Sequence, residues 1–405
     1  MKLIHQVWAT ALALVTASPL IAQQGEPAAA TRCAPEAALP PIVKSMLCTI
    51  SDAYHRPLHP MVREIAPGGG LGAGLEFTRR ARSLWQARAA GTVTVRGSWS
   101  GELGAGYHGG HTGAEIYGRV RDLPRLDFFG PDITGLIAHA NYRLREAVVG
   151  AIATLRPVSW LTVGGRVEGL WPEVRSGRSS SLPSIEDRFD EAEAPGVTVQ
   201  PAFIRYEAAL DLRIPAGLGE ALYQGARYRI AYTIYSDREI DRFSFRRIEL
   251  EAQQRFALLV PLSRLTLHGW PSLTDADAGH TVPFYLQHTL GGKWNLRSVH
   301  EDLIGSDGTQ ATLRGFRNFQ FRDRNVLLLQ AEYRIPVWGP LDATVFADAG
   351  KVTPRREDLD LSALKHNVGF SLSVMRGPAT AARVDFGVGK EGMRVFLTLR
   401  REAIP

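Results

Sequence analysis

The chain has 405 residues, of which 45% are hydrophobic and 22% are charged, and its net charge is +6. This small excess is spread along the whole chain, so it gives no case for nucleic-acid binding. Abundant glycine, at 40 residues, together with recurring aromatic residues and few helix-period segments, predicts an all-β protein.

The first 22 residues have the pattern of a secretory signal peptide. Lys2 supplies a positive start, an apolar run continues to Val15, and small residues at Ala17 and Ala22 offer cleavage sites. Cleavage after either alanine fits the pattern, and the loss of Lys2 would lower the net charge from +6 to +5. No later apolar stretch reaches the ~20 residues that a transmembrane helix needs. The sequence therefore predicts an exported protein.

Residues 23–67 are predicted to form a short periplasmic segment. Within it, the apolar residues between Ile42 and Ile50 fall on one helical stripe, which predicts a short amphipathic helix. Pro57 and Pro60 are expected to prevent any helix from continuing.

The same segment contains both cysteines of the chain, Cys33 and Cys48. In an oxidising compartment a disulfide between them would close a loop of about 15 residues and stabilise the fold by ~3 kcal/mol. Two free thiols are the alternative. No residue spacing in the chain favours a metal or cofactor site.

From Gly68 onward the pattern changes to short alternating segments. The clearest one follows Trp160, where apolar and polar side chains occupy opposite faces: Leu161, Val163 and Val167 against Thr162, Arg166 and Glu168. Charged residues recur on the second face too often for a dry core, whereas a water-filled lumen accommodates them. Residues 68–405 are therefore predicted to form a transmembrane antiparallel β-barrel of about 16 strands.

The stretch from Leu313 to Gly350 carries the most specific pattern. It begins with Arg314-Gly315-Phe316 and ends on a strand in which Phe346 and Asp348 share the polar face. The preceding strand likewise separates an apolar face from a polar face that includes Glu332.

These residues give the chain its family resemblance, which is strongest from Thr289 to Arg400. The region resembles the bacterial surface antigen superfamily, which includes the BamA and TamA barrels and the two-partner secretion transporters. In that superfamily a loop between the eleventh and twelfth strands folds into the lumen. An Arg-Gly-aromatic motif in the loop meets the acid of a Phe-x-Asp-x-Gly motif on the thirteenth strand. The resemblance implies that the first motif is Arg314, Gly315 and Phe316 and the second is Phe346, Asp348 and Gly350.

Charge-assisted bonds between Arg314 and Asp348 would hold the loop tip inside the barrel. Glu332 is expected to be a second acidic partner, since it faces the same lumen. Gly315 is expected to let the loop backbone approach closely or turn with positive φ.

Two departures from the family pattern limit what the resemblance implies. Residues 23–67 are too short to hold a POTRA repeat, so this is a short form of the family without the repeats that handle clients. Gly291 and Gly292 are separated from Arg314 by an insertion from Lys293 to Thr312, whereas in relatives they lie close to the motif.

The resemblance implies an outer-membrane barrel of a Gram-negative bacterium that assists insertion or translocation of protein or another polymer. A weak lateral seam is expected between a first strand containing Gly70, Gly72 and Gly74 and a last strand containing Phe396. Expected partners are outer-membrane lipid, lipopolysaccharide and unfolded outer-membrane or secreted proteins.

The alternative is a passive or gated pore plugged by the inserted loop. Enzymatic activity is not expected, because Gly97-Ser98-Trp99-Ser100-Gly101 lacks serine at the central position of a nucleophile elbow.

Overall fold

The computed structural model describes residues 56–66, 69–81, 84–130, 139–215, 223–258, 263–292, 312–376 and 379–399. The predicted signal peptide, the amphipathic helix, Cys33 and Cys48 lie outside these residues.

The described residues form eighteen β-strands. The strands are β1 (Leu58–Glu64), β2 (Leu71–Ala81), β3 (Trp85–Thr94), β4 (Trp99–His108), β5 (Thr112–Phe128), β6 (Ala140–Val158), β7 (Leu161–Ser176), β8 (Phe203–Ile214), β9 (Tyr223–Asp237), β10 (Phe245–Phe256), β11 (Arg264–Ala276), β12 (His288–Leu290), β13 (Phe321–Asp323), β14 (Asn325–Trp338), β15 (Leu341–Thr353), β16 (Lys365–Arg376), β17 (Ala379–Gly389) and β18 (Gly392–Leu399). Three short 3₁₀ turns, at Ile185–Asp187, Phe284–Leu286 and Arg356–Asp358, complete the regular structure of this part of the chain.

Sixteen of the strands form one antiparallel sheet in chain order, in which β14 follows β11 directly. β12 and β13 pair only with each other and lie in the β11–β14 connection. The predicted all-β fold of about 16 strands, with a loop between the eleventh and twelfth, is confirmed. In the described residues, no ladder of hydrogen bonds joins β1 to β18.

No helix in the described ranges is long and apolar enough to cross a membrane.

Burial along the strands is inverted relative to a soluble sheet. On β15 the polar residues Asp342, Thr344 and Asp348 are buried, whereas Leu341 and Val345 are exposed. Across the sheet the outer face is apolar and the inner face is charged, as the alternation predicted.

The charges on the inner face are paired across neighbouring strands. Ion pairs join β5 to β6, β8 to β7 and β9 to β8: Arg119–Glu146 at 2.7 Å, Arg205–Glu168 at 3.0 Å and Arg229–Glu207 at 3.1 Å. Each carboxylate therefore meets a guanidinium, which is how buried charges are stabilised in proteins.

The first strand lies earlier than the sequence predicted. We expected it to start at Gly68, but β1 occupies Leu58–Glu64, inside the segment assigned to the periplasm, and the predicted boundary at residue 68 is wrong. Pro60, which we took as a breaker, sits opposite Leu75 of β2. Proline is tolerated there because β1 is an edge strand, so its missing N–H removes no bond from a second ladder.

The two ends of the sheet differ in their connections. At one end the strands are joined by short turns; at the other, long segments connect β5 to β6, β7 to β8 and β11 to β14. A cluster of buried aromatic residues closes the long-loop end, and it includes Phe128, Tyr142, Phe203, Phe243 and Phe284.

Candidate functional site

The β11–β14 connection folds back against the inner face of the sheet. Its tip, from Thr312 to Phe316, is buried. The tip is tied to Gly292, whose amide donates to the Leu313 carbonyl at 3.0 Å and whose carbonyl accepts from the Thr312 amide at 3.1 Å. The two ends of the insertion between Gly292 and Arg314 therefore meet. As a result, the glycine pair and the Arg-Gly-Phe motif stay adjacent in space.

Arg314 makes a bidentate pair with Asp348 of β15. Its Nε donates to Asp348 Oδ2 at 2.9 Å and its terminal nitrogen to Oδ1 at 2.5 Å. The backbone amide of Arg314 adds a third bond, to Oδ2 at 3.2 Å. Both side chains are buried, with 1% of Arg314 exposed. The structure thus brings together the two residues that the motifs singled out, and we name this pair the clasp.

Two further acids and a second arginine complete the charge network. Arg314 also bonds Glu332 of β14 and lies 3.5 Å from Asp385 of β17. Arg383 of β17 bonds Glu332 at 2.9 Å and Asp385 at 2.7 Å. Three carboxylates therefore share two guanidinium groups, so the network depends strongly on Arg314.

Neutral side chains fix the orientation of the Asp348 carboxylate. Asn367 of β16 donates to Oδ2 at 2.8 Å, and Gln330 of β14 donates to Oδ1 at 3.0 Å. Gln330 also donates to the Thr312 carbonyl at 3.1 Å, so it links the loop to the strand. These two amides were not predicted, although both occupy inward positions in the strand alternation.

Glycine is required where the loop meets the wall. A Cβ at Gly315 would lie 2.5 Å from Asn367 Cβ, and one at Gly387 of β17 would lie 2.3 Å from the Arg314 carbonyl oxygen. A Cβ at Gly350 would lie 2.7 Å from the Leu327 carbonyl oxygen and 3.0 Å from Leu290 of the loop. The glycines of both motifs are thus explained by close approach; Gly315 is not among the positive-φ residues.

The aromatic residues of the motifs have separate roles. The Phe346 ring lies under the Arg314 guanidinium, with 3.5 Å between Arg314 Cζ and the ring centroid, and contributes a cation–π contact. Phe316 packs edge-on against Phe321 at 5.1 Å, in a buried cluster that also contains Leu313 and Leu328. One ring therefore supports the charge and the other holds the loop by apolar burial.

A second arginine anchors the loop to the opposite side of the sheet. Arg322 of β13 lies 5.6–5.8 Å from the rings of Phe128, Tyr142 and Phe284, and it donates to the Phe284 carbonyl at 2.6 Å. Phe128 and Tyr142 belong to β5 and β6, whereas Arg314 is held by β14, β15 and β17. The loop therefore crosses the space enclosed by the sheet.

A small cavity lies beside this crossing. Its volume is about 100 Å³, and the residues that line it include Arg119, Arg205, Arg229, Glu168, Glu207 and His288. That volume corresponds to a few water molecules and is too small for an extended peptide.

The predicted seam residues lie elsewhere than expected. Gly72 and Gly74 are on β2, which is hydrogen-bonded to both β1 and β3, and Gly70 precedes that strand. The first-strand assignment of these glycines is therefore wrong. A Cβ at Gly74 would lie 2.1 Å from the Gly91 carbonyl oxygen, so this glycine serves close packing. Phe396 does lie on the last strand, β18, which pairs with β17.

The fold has counterparts among solved structures. BamA from Haemophilus ducreyi lacking POTRA domains 1–3 superimposes with a TM-score of 0.55 and 12% identity, over 84% of this chain and 68% of that one. The chain has the fold of the BamA barrel. CdiB from Escherichia coli gives a TM-score of 0.50 and 12% identity, over 88% of this chain and 68% of that one. No protein-family model and no curated protein sequence matches the chain. The resemblance predicted from the motifs is therefore confirmed at the level of the fold.

Proposed function

We propose that this chain is an outer-membrane barrel of a Gram-negative bacterium that assists the insertion or translocation of polypeptide. The observation that carries the proposal is the loop that the Arg314–Asp348 pair holds against the inner face of the sixteen-stranded sheet, and the BamA-like fold supports it. The mechanism is a lateral seam at which the terminal strands β1 and β18 separate. The expected partners are outer-membrane lipid, lipopolysaccharide and unfolded proteins destined for that membrane or for secretion.

The two edges differ in their capacity to template a strand. An exposed edge presents unpaired N–H and C=O groups to which an extended peptide can add. β1 contains Pro60, which lacks a donor, whereas β18 contains no proline over Gly392–Leu399. We therefore infer that an incoming strand pairs first with β18.

Depletion of the protein, followed by quantitative proteomics of the outer membrane, tests this function. We expect a selective, several-fold loss of one or more barrels or surface proteins, restored by a plasmid copy of the wild-type gene. An unchanged protein inventory would contradict the assembly role.

We further propose that the chain acts without catalysis. Ser98 and Ser100, the serines of the glycine-flanked segment, are each 4% exposed and lie at the start of β4 rather than on a strand-to-helix turn. Lipase and protease assays on the refolded barrel check this point.

A gated pore is the second candidate. The three aromatic rings around Arg322 favour it, because weak contacts of this kind can break and release the loop from the sheet. Replacing Arg322 with glutamine removes the cation–π contacts, each worth about 0.5–2 kcal/mol. We expect Arg322→Gln to raise the frequency of conductance steps in planar bilayers above that of the wild type. Absence of steps in both proteins, and in a variant without the loop tip, would exclude the pore.

A further inference from the structure

The outer face of the sheet carries a group of arginines near the long-loop end of β5, β6 and β7. The group, here named the arginine patch, consists of Arg125, Arg143, Arg145, Arg175 and Arg178, accompanied by the acids Asp122, Asp127 and Glu173. Five basic and three acidic residues leave the patch with an excess of two positive charges. Such an excess at one point of an otherwise apolar wall favours an anionic partner.

The strand register places like charges side by side. Arg143 lies directly opposite Arg175, two positions beyond the row in which Arg145 lies opposite Glu173. The two rows are two residues apart on both strands, so they share one face. Like charges directly opposite each other destabilise a sheet, and here Asp122 and Glu173 offset part of that repulsion.

The acids of the patch are already engaged. Asp122 is 2% exposed and accepts from Arg143 Nε at 2.7 Å and from Arg145 Nε at 2.9 Å. Glu173 accepts from Arg175 Nε at 2.7 Å, and Asp127 lies 3.3 Å from His139. The Arg145 and Arg175 side chains are 38% and 46% exposed, so their outward edges are available for a ligand, whereas Arg143 is 11% exposed.

Two exposed arginines extend the patch. The amide of Arg178 donates to the Pro124 carbonyl at 3.0 Å, which brings the β7–β8 connection beside Arg125. Within the described residues, neither Arg125 nor Arg178 has an acidic partner. Elsewhere on the same rim, by contrast, Arg246 is matched by Asp277 at 3.4 Å.

The same outer wall contains, further along the strands, an apolar hollow of about 750 Å³. Small outward side chains form its floor and larger ones its sides: Ala151, Ala153, Gly165 and Ala208 below Ile116, Val167, Tyr206 and Tyr232. Its volume falls within the ~300–1,000 Å³ of small-molecule sites. A hollow of this kind takes hydrocarbon rather than a polar ligand.

The distance between patch and hollow matches one leaflet of a membrane. Arg145 and Ala151 are six positions apart on β6, which corresponds to about 20 Å along a strand. With a strand tilt of ~35–45° this becomes about 15 Å along the membrane normal, half the ~30 Å hydrocarbon thickness.

We propose that the outer face of β5–β8 binds a phosphorylated, multiply acylated glycolipid, lipopolysaccharide, with its phosphates on the arginine patch and an acyl chain in the hollow. This inference rests on the proposed outer-membrane location. Guanidinium groups match phosphate geometry bidentately, and an excess of two positive charges suits a head group with several negative charges better than a zwitterionic phospholipid.

The test measures binding of the refolded full chain in detergent to lipid A, which has two phosphates, and to the same lipid without phosphates. The first variant, Arg125→Gln with Arg178→Gln, changes exposed residues only. The second, Arg143→Gln with Arg175→Gln, changes the opposed pair, and its folding is checked by the heat-dependent shift on gels. Arg246→Gln is the matched control, since that arginine is exposed on the same rim but paired with an acid.

We expect each double variant to bind phosphorylated lipid A about tenfold or more weakly than the wild type, with the control unchanged. Dephosphorylated lipid should bind all four proteins alike and weakly. Equal affinity of the wild type and both folded variants for the phosphorylated lipid would overturn the proposal, as would equal affinity of the wild type for both lipids. Neither result bears on client insertion, which the proteomic experiment tests separately.

Discussion

Replacing Arg314 with alanine is expected to lower the free energy of unfolding of the refolded barrel by about 3 kcal/mol. Removing one member of a buried ion pair costs ~3–5 kcal/mol, because the remaining charge stays buried without its partner. Here the substitution leaves Asp348, Glu332 and Asp385 with Arg383 as the one remaining cation of the network. The lower end of the range applies, because 28% of the Glu332 side chain is exposed and water can solvate it.

Urea titration in detergent, followed by tryptophan fluorescence, measures this loss. Arg317→Ala is the matched control, since Arg317 directly follows the loop tip but is exposed; its substitution should change the free energy by less than about 0.5 kcal/mol. Equal stability of the Arg314 and Arg317 variants would mean that the clasp does not hold the loop.

The second large effect is expected at Gly387, a residue without charge. In Gly387→Ala the new methyl group would lie 2.3 Å from the Arg314 carbonyl oxygen and 2.5 Å from its carbonyl carbon. Both atoms belong to the backbone, so the loop tip itself must move. Overpacking of this kind costs ~1–3 kcal/mol, and here it also lengthens the bonds of the clasp.

Gly91→Ala provides the control, because a Cβ at Gly91 of β3 meets nothing within 4 Å. We expect Gly387→Ala to unfold at a clearly lower urea concentration than the wild type and to expose the loop to added protease, with Gly91→Ala behaving like the wild type. Wild-type protease resistance in Gly387→Ala would show that the loop tip does not rest on β17.

The alternation of side chains was sufficient to predict the faces of the strands. It places Asp348 and Val345 on opposite faces whatever the position of the first strand, because it depends only on local backbone geometry. The position of the clasp was predicted from the resemblance to the surface antigen superfamily, which implies that Arg314 meets Asp348.

Other features depend on contacts that no local pattern encodes. Pro60 suggests the end of a helix in the sequence, and only the structure shows that it lies in an edge strand. The first strand was therefore predicted from Gly68, whereas β1 is Leu58–Glu64. Arg322 meets Tyr142 across 180 residues of sequence. The need for glycine at Gly387 arises only when the loop lies against it.

A disulfide between the loop tip and β16 in native membranes tests the central claim most directly. The protein for this test has Cys33 and Cys48 changed to serine and carries Gly315→Cys and Asn367→Cys. The two new Cβ atoms would be 2.5 Å apart before relaxation. A disulfide requires a Cβ separation of ~3.5–4.5 Å, which a small outward shift of the loop tip provides. Gly315→Cys with Ser373→Cys is the control pair, since Ser373 is inward on the same strand but about 20 Å further along it. The account predicts that mild oxidation of intact cells cross-links the first pair and not the second, as seen by mass spectrometry of the joined peptides. Free thiols in the first pair that react with a membrane-impermeant maleimide would contradict it, because the loop tip would then lie outside the barrel.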